Sequence, residues 1–349
     1  MEIENQVLVK NVWYMAAWAH EVTDKPLARR IVDVALVFFR TPAGELSALE
    51  DRCCHRGLPL SMGKLVGNAL QCGYHGLCFD SRGQCVAVPG QDTIPINAKV
   101  RSYPVFEQDA VVWIWMGDPA LADPASIVRF ERHNDPHWNW RGERFSYRAN
   151  HHLLYDNLLD LTHVGLVHPN TIGGSAAEHS GAEMRVERDG MSVKGVRWMR
   201  NVDPPPAYRA IKPFPGRVDR WQVIRFKPGC VQISAGAKDV GTVRDENDYD
   251  EAYETHGFNG VTPETLDTCH YFWSVGIPSR LDRPGLIVEK MRLASLTFEE
   301  DRAVLEDQYR NQMDHPGRGF VDLRADGLGL AARRVWKELA RRESTESVS

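Results

Sequence analysis

Two short stretches of the 349-residue sequence each pair a cysteine with a histidine and close on glycine. The first reads CCHRG from Cys53 to Gly57, and the second reads CGYHG from Cys72 to Gly76. Thiolates combined with imidazoles are ligands that zinc and iron–sulfur clusters take in proteins. Five of the seven cysteines fall between residues 53 and 85, which favours metal binding over a disulfide framework. The fold must therefore bring two loops together around a metal group.

The spacing of these residues separates the two kinds of metal site. Structural zinc sites commonly use knuckles of like ligands such as CxxC, whereas each knuckle here is mixed. In a Rieske [2Fe–2S] centre two cysteines bind one iron and two histidines bind the other, so each loop supplies one ligand to each iron. We predict such a cluster on Cys53, His55, Cys72 and His75, with zinc and merely packed side chains as alternatives. The other cysteines outside this pattern are expected to be small buried residues: Cys78, Cys85, Cys230 and Cys269.

The order of predicted elements indicates two domains. From about residue 29 to 115, β-branched and aromatic runs alternate with glycine, proline and asparagine turns, which predicts an all-β domain. A stretch rich in proline and acids indicates a boundary near residue 120, so we divide the chain into 1–120 and 121–349. Beyond it we expect a helix at 150–164, strands up to about 276 and a long helix from about 297. Between them, residues 201–216 carry five prolines and are predicted to form a surface loop or lid.

The charge pattern excludes several kinds of partner. The 42 basic and 47 acidic residues give a formal net charge of −5, with no long run of either sign. Nothing indicates a nucleic-acid track or a polybasic membrane patch. The sequence has no signal-like start and no stretch of about 18 apolar residues, so we expect a cytoplasmic protein that does not span a membrane.

A one-electron cluster only transfers electrons, so the catalytic metal is expected elsewhere in the chain. We predict this second metal site in the helical stretch at 150–164. On a regular helix Asp156, Asp160 and His163 form one polar stripe on an otherwise apolar cylinder. Buried acids beside a histidine are costly unless a partner or a metal compensates them. His168 can share a metal with His163 only if the helix ends or distorts between them. The alternative is a chance spacing on a surface helix.

Two histidines and one carboxylate make the facial triad of non-haem Fe(II) oxygenases, so a carboxylate is needed as well. The stretch 296–310 contains five acids. On a helical wheel only Asp301 lies on the same side as the apolar Leu305 and Tyr309. The alternative for Asp301 is a buried ion pair with Arg302, which falls near the same face.

With these residues in place, the chain resembles the Rieske non-haem iron oxygenases over nearly its full length. It is most similar to the single-subunit group that includes the oxygenase components of vanillate O-demethylase, toluenesulfonate methyl-monooxygenase and dicamba monooxygenase. The shared motifs are NVWYMAAW, CCHRG, CGYHG, VPGQ, WIWMGDPA, YDNLLDLTHVGLVH, VTPET and FEED. The family's usual proline inside the first knuckle is Cys54 here, which leaves the ligand spacing intact.

The resemblance implies an α+β fold, in which an all-β Rieske domain precedes a helix-grip (START/Bet v 1-like) catalytic domain with an antiparallel sheet. By the same resemblance the cluster is bound by Cys53, His55, Cys72 and His75, and a mononuclear Fe(II) by His163, His168 and Asp301. It further implies a head-to-tail homotrimer. In that arrangement Asp160 accepts hydrogen bonds from His163 of its own chain and His75 of the next, which couples the two centres.

The implied activity is that of a terminal oxygenase component, which uses O₂ and electrons from a separate reductase on the methyl group of a substituted aromatic acid. A methyl ether would yield a phenol and formaldehyde, and a methyl arene would yield an alcohol. The leading substrates are a methoxybenzoate like vanillate and an arene like toluenesulfonate. Since the chain lacks a GxGxxG fingerprint, NADH is expected to act through a separate reductase. The resemblance implies that this reductase carries FMN and a plant-type [2Fe–2S] centre.

Other functions remain open at this level. One is a ring cis-dihydroxylating dioxygenase of the phthalate type. Outside enzymes, the alternatives are a pure electron-transfer protein and a zinc-stabilised helix-grip protein that binds a ligand. The substrate pocket is expected around residues 200–240 and 256–295, and the sequence does not single out an anion anchor among its basic residues. These are Arg200, Arg220, Arg225 and Arg292.

Overall fold

Short antiparallel strands separated by tight turns build the first part of the chain, as their hydrophobic alternation predicts. The computed structural model describes residues 7–169 and 171–346. Their contacts divide the chain into two compact units, one formed by Leu8–Arg129 with Thr262–Leu266 and the other built on Phe130–Val261 and the chain from Asp267. The predicted boundary near residue 120 falls among short turns at Pro119–Leu121 and Pro124–Ser126.

The first unit consists of small antiparallel sheets. Its strands are β1 (Trp13–Trp18), β2 (Leu27–Ile31), β3 (Val34–Arg40), β4 (Leu46–Glu50), β5 (Lys64–Val66), β6 (Ala69–Gln71), β7 (Cys78–Phe79), β8 (Cys85–Ala87), β9 (Val105–Gln108) and β10 (Val111–Trp115). Within the described residues they form three sheets, with strand orders β1-β10-β9, β2-β3-β4 and β5-β6-β7-β8. One buried core joins residues of β3, β4 and β6 to Cys53 and Cys72. The two cysteines are thus anchored in the core of this unit.

The second unit is organised around one seven-stranded antiparallel sheet with the order β11-β17-β16-β15-β14-β13-β12. The strands are β11 (Trp138–Tyr147), β12 (Glu183–Asp189), β13 (Ser192–Val202), β14 (Val218–Lys227), β15 (Cys230–Asp239), β16 (Tyr253–Pro263) and β17 (Cys269–Pro278). The helices are α1 (His151–Leu159), α2 (Val164–Val167), α3 (Ala176–Ser180), α4 (Pro206–Arg209), α5 (Leu286–Asp314) and α6 (Gly327–Glu346). Through the described ranges, no helix is both long and apolar enough to cross a lipid bilayer.

Helix α5 packs on the sheet through aromatic side chains. The ring of Phe298 lies 5.1 Å from that of Tyr271 and 4.8 Å from that of Trp273, both on β17. The hydroxyl of Tyr147 on β11 donates a hydrogen bond of 2.6 Å to the carbonyl of Phe298. This arrangement of a sheet around a long helix confirms the predicted α+β class with a helix-grip second unit.

Helix α5 begins at Leu286, eleven residues before the predicted start near 297. Gly285 precedes it with φ of +85°, a left-handed conformation that glycine adopts without strain. The stretch from Leu286 to Leu296 mixes basic and apolar residues too evenly for its periodicity to mark the helix start. The longer helix places Lys290 on the same rigid element as Asp301.

The proline-rich segment at 201–216 is largely irregular and combines exposed with buried residues. Pro206 starts the one-turn helix α4, where its missing N–H costs nothing. Tyr208 and Ile211 are buried in a cluster with residues of β13, β14 and β16. The predicted loop is thus interrupted by one turn of helix and anchored by two buried side chains, since proline favours the first turn of a helix as well as loops.

A partly buried ion pair ties α6 to α1. The Arg333 guanidinium donates to both carboxylate oxygens of Asp156, with 2.8 Å between Nε and Oδ1. Burial raises the pKa of Asp156, although hydrogen bonds from Arg333 oppose that effect. Asp156, which the helical stripe placed beside the metal residues, therefore has a structural partner 177 residues away in the chain.

Replacing Arg333 by methionine is expected to lower the free energy of unfolding by about 2 kcal/mol, because the largely buried Asp156 carboxylate loses its charged donor. Urea denaturation monitored by circular dichroism measures the change. Arg334→Met is the matched control, since Arg334 is exposed on the same helix. Equal stability of both variants would contradict a stabilising role for the ion pair.

Candidate metal centres and cavity

The predicted helix at 150–164 is interrupted where the metal residues require it. Helix α1 ends at Leu159, and the Asp160 carboxylate accepts hydrogen bonds from the Thr162 amide at 2.8 Å and hydroxyl at 2.9 Å. Such a local side-chain turn competes with helical hydrogen bonding. The chain resumes as the one-turn helix α2, with His163 immediately before it and His168 immediately after it.

This turn brings both histidines to Asp301 of α5. The Nε2 atoms of His163 and His168 lie 3.4 Å and 3.1 Å from Asp301 Oδ1. The ligand atoms of these three residues all lie within 4.8 Å of one another. Over the ranges that the structure describes, they are the set of metal-binding side chains close enough together to hold one ion. Asp301 is 3% exposed, whereas the other acids of its stretch are half-buried or exposed. The predicted pairing of Asp301 with Arg302 is absent among these contacts, since Arg302 binds Glu299.

Each histidine is oriented by a hydrogen bond at its other ring nitrogen. His168 Nδ1 lies 2.7 Å from Glu300 Oε2, and His163 Nδ1 lies 2.6 Å from the backbone carbonyl of Asp160. Protons on both Nδ1 atoms would leave both Nε2 atoms as acceptors facing Asp301, the tautomer that a metal ligand needs. Within the chain Asp160 therefore contacts His163 through its backbone carbonyl.

The ionisation of the group suits cation binding. Burial alone would raise the pKa of Asp301, but hydrogen bonds from His163 and His168 lower it to about 2. Burial alone would lower the pKa of His168, but hydrogen bonds to Asp301 and Glu300 outweigh it and raise the pKa, so a proton on Nε2 of the metal-free site is one that a bound cation would displace. The site is thus built around a permanent carboxylate charge. Two neutral imidazoles and one carboxylate fit a divalent iron with open coordination positions.

Two residues of this site were missed by sequence reasoning. Asn157 of α1 donates from Nδ2 to Asp301 Oδ1 at 2.8 Å and lies 3.4 Å from His163 Nε2. Glu300, which the helical wheel turned away from the core, reaches His168 and the Thr171 hydroxyl instead. The sequence signal for Glu300 was its position beside Asp301, and that for Asn157 was its place in the YDNLLDLTHVGLVH motif.

Replacing Glu300 by glutamine is expected to weaken iron binding by about 10-fold to 100-fold, because His168 loses the charged acceptor that fixes its ring. The measurement is iron retention during titration with a chelator, followed by elemental analysis. Glu299→Gln serves as control, since Glu299 pairs with Arg302. Unchanged retention in Glu300→Gln would show that this contact does not orient the ligand.

The three residues open into a cavity of about 160 Å³ between the sheet and α5. This volume is close to the roughly 150 Å³ that accommodates one benzene molecule. Its apolar walls include Leu158, Leu161, Ile233 and Phe298. Polar groups also reach it, among them His256, whose Nδ1 lies 2.6 Å from Ser234 Oγ and whose pKa burial lowers to about 4. The cavity suits a small aromatic molecule held next to the metal residues.

In the first unit the two Cys–His knuckles form equivalent loops. Gly57 N donates to Cys53 O at 3.0 Å, and Gly76 N donates to Cys72 O at 3.1 Å. Both glycines have left-handed φ angles, +75° and +76°, which other residues adopt only at a cost. The repeated turn explains why glycine closes each knuckle.

The cysteines and the histidines of these knuckles differ in their exposure to solvent. Cys53 and Cys72 are buried, and burial raises the pKa of Cys53 to about 11. His55 and His75 are exposed, with ring centroids 4.5 Å apart. A single zinc ion would require the four ligand atoms to lie close to one another. In the described part of the chain these four do not form a group whose ligand atoms all lie within 4.8 Å. A cluster with one iron on the sulfurs inside and the other on the imidazoles outside fits this layout.

Both units match described protein families. The Rieske [2Fe-2S] domain matches residues 12–104, and the vanillate O-demethylase oxygenase C-terminal domain matches residues 147–342. The knuckles lie in the first match, and the histidines, Asp301 and the cavity lie in the second.

Relatives of known function cover almost the whole chain. The vanillate O-demethylase oxygenase subunit of Pseudomonas sp. is 37% identical, covering 93% of each chain. The toluene-4-sulfonate monooxygenase system iron-sulfur subunit of Comamonas testosteroni is 36% identical, covering 92% of this chain and 93% of the relative. Dicamba monooxygenase bound to 3,6-dichlorosalicylic acid superposes with a TM-score of 0.89 at 32% identity, over 97% of this chain and 99% of that one. A further structure of dicamba monooxygenase, with a TM-score of 0.81 at 32% identity over 98% and 100% of the chains, contains non-heme iron and dicamba.

Proposed function

The chain belongs to the Rieske oxygenase family that has the vanillate O-demethylase C-terminal domain, and we therefore propose that it is the terminal oxygenase component of an aromatic monooxygenase system. A Rieske [2Fe–2S] cluster and a mononuclear iron are its cofactors. The observation that carries the proposal is a His–His–carboxylate group opening into an arene-sized cavity, in one chain with a Rieske domain.

We assign the ligands as the sequence predicts. The cluster is held by Cys53, His55, Cys72 and His75, and the mononuclear iron by His163, His168 and Asp301. The burial and the hydrogen bonds of these side chains support the assignment. The domain division at 1–120 and 121–349 is kept as part of the proposal.

The protein's own groups prepare the site for chemistry on a bound arene. When bound, the iron supplies O₂ activation with electrons that pass through the cluster. Glu300 and the Asp160 carbonyl hold the imidazoles in place, and Asn157 holds the Asp301 carboxylate. Leu158, Leu161 and Phe298 keep bulk water away from the substrate ring. A methyl or methoxyl carbon placed toward the three ligands would be the position that is hydroxylated.

Oxygenase components of this kind work with a separate reductase. We further propose that the reductase uses NADH, FMN and a plant-type [2Fe–2S] centre, and that the oxygenase is a cytoplasmic homotrimer. In the trimer the half-buried Asp160 carboxylate would accept a hydrogen bond from His75 of the neighbouring chain.

The substrate class we propose is a methyl- or methoxyl-substituted aromatic acid, because two relatives are named for vanillate and toluene-4-sulfonate. The test is a single turnover of the reduced, iron-loaded protein with O₂ and a panel of methoxy- and methyl-substituted benzoates and benzenesulfonates. Formaldehyde with a phenol identifies O-demethylation, and a benzylic alcohol identifies methyl hydroxylation. A cis-diol would instead establish the phthalate-type dioxygenase. No product from any arene in protein that contains both metals would contradict the proposed substrate class.

A further inference from the structure

One wall of the cavity carries a buried arginine without a counter-charge. Arg220 on β14 is 1% exposed and lines the cavity. Among the residues that the structure describes, its Nε and Nη1 atoms have no hydrogen-bond partner and its Nη2 reaches the Tyr208 hydroxyl at 3.4 Å. Across the described residues no carboxylate lies within salt-bridge distance of it. The Tyr208 ring, whose centroid lies 4.8 Å from the guanidinium carbon, compensates a buried cation only weakly, so this arrangement calls for an anion that the described residues do not provide.

The neighbouring Arg197 shows how the same fold satisfies a buried guanidinium when the role is structural. Its Nη1 donates to Gln222 at 2.9 Å and lies 3.1 Å from His179 Nδ1, and its Nη2 donates to the His179 carbonyl. Burial and the charge of Arg220 lower the pKa of Arg197 to about 10. Arg197 thus adds to the positive potential around Arg220 and does not relieve it.

A second cation reaches the same cavity from α5. Lys290 lines the cavity and has no hydrogen bond or ion pair within the ranges described. Burial lowers its pKa, and the nearby Tyr208 phenol is the group that opposes this shift. The Tyr208 hydroxyl contacts Arg220, so Tyr208 lies near both cations. Two cations and one phenol therefore surround one part of an otherwise largely apolar cavity.

We propose that Arg220 and Lys290 bind the anionic group of the substrate, and that this group is an aryl carboxylate or sulfonate. This inference rests on the proposed function and adds the residues that select the substrate. The unpaired Nε–H and Nη1–H groups of Arg220 are donors that the oxygen atoms of either anion can accept from. Lys290 adds a point charge, and Tyr208 offers its hydroxyl as a further donor.

The first test measures binding without turnover. Oxidised holoprotein under argon is titrated calorimetrically with 4-methylbenzoate and 4-methylbenzenesulfonate, and with the neutral 4-methylbenzamide and 4-methylbenzenesulfonamide. Arg220→Gln is expected to weaken binding of the preferred anion by at least about 30-fold, and Lys290→Gln by about 10-fold, with the neutral arenes little affected. The tighter of the two anions in the wild type identifies the anionic group.

The matched control is Arg225→Gln, because Arg225 lies on the same strand but is exposed on its other face. It should bind every probe as the wild type does. An equal loss of anion and amide binding in Arg220→Gln, or no loss at all, would overturn the inference. The inference would also be overturned if the wild type bound the neutral arenes but neither anion. Products formed from those neutral arenes would still support the oxygenase function. Failure of every arene to bind would contradict both.

A second test needs no ligand. Arg220→Met removes a buried, unpaired charge from the empty cavity, so the ligand-free holoprotein should melt at the same temperature or higher. The Arg220→Met variant should also lose its binding of the anionic arenes. A decrease of the melting temperature by more than about 4 °C would show that Arg220 is part of the structural core, and would overturn its assignment as an anion anchor.

Discussion

Replacing Asp301 by alanine is expected to abolish product formation and to remove the mononuclear iron while the cluster stays in place. Asp301 supplies the only charge among the three proposed ligands, and its Oδ1 lies within 3.4 Å of both histidine Nε2 atoms. Without it two neutral imidazoles remain, which bind divalent iron too weakly to retain it. Elemental analysis should show a fall from about three to about two irons per chain.

The visible and electron paramagnetic resonance spectra of the cluster report whether Asp301→Ala still folds, because Cys53, His55, Cys72 and His75 lie in the other compact unit. Glu299→Ala is the matched control on the same helix, since Glu299 pairs with Arg302. It should retain iron and activity. Full iron occupancy with normal turnover in Asp301→Ala would remove Asp301 from the ligand set.

Replacing Asp160 by asparagine is expected to keep both metals and to lower coupled turnover by about 100-fold or more. The asparagine oxygen can still accept from the Thr162 amide, so the turn that separates α1 from α2 should persist. His163 should also keep its position, because it contacts the Asp160 backbone carbonyl. What the variant loses is the carboxylate charge proposed to bridge to His75 of a neighbouring chain.

Stopped-flow reoxidation of the reduced cluster in the presence of substrate and O₂ measures this electron transfer directly. Thr162→Val is the control, because it removes the hydroxyl contact to Asp160 and leaves the carboxylate in place. Its reoxidation rate should be near that of the wild type. If Asp160→Asn and Thr162→Val slow reoxidation equally, the carboxylate acts by supporting the turn and not by linking the centres.

The parts of the site that the sequence predicts depend on residues close to one another in the chain. Each Cys–His knuckle is a five-residue loop with its own glycine, and the position of Asp301 follows from helical periodicity within a single helix. The end of α1 was harder to predict, because it depends on the Asp160 side chain bonding to Thr162. The sequence showed only that His163 and His168 needed such a break.

The parts that the sequence does not predict depend on register and on contacts between distant segments. Asp156 finds Arg333 near the other end of the chain. Arg220 was one of four candidate arginines, and only the pairing of β14 with β13 and β15 shows that it faces the cavity. Arg225, five residues further along the same strand, is exposed. No local pattern distinguishes these two arginines.

Helix α5 carries both Lys290 and Asp301, and the eleven residues between their positions correspond to about 16 Å along the helix axis. If Lys290 contributes to anion binding as proposed, this one rigid element would help to set the distance between the substrate's anion and the proposed metal ligand Asp301. Arenes with ortho, meta and para placement of the two substituents should therefore differ in their rate of oxidation, which product analysis of each isomer measures. Moving the lysine one turn closer, with Lys290→Ala and Ala294→Lys together, should shift that regioselectivity toward shorter spans.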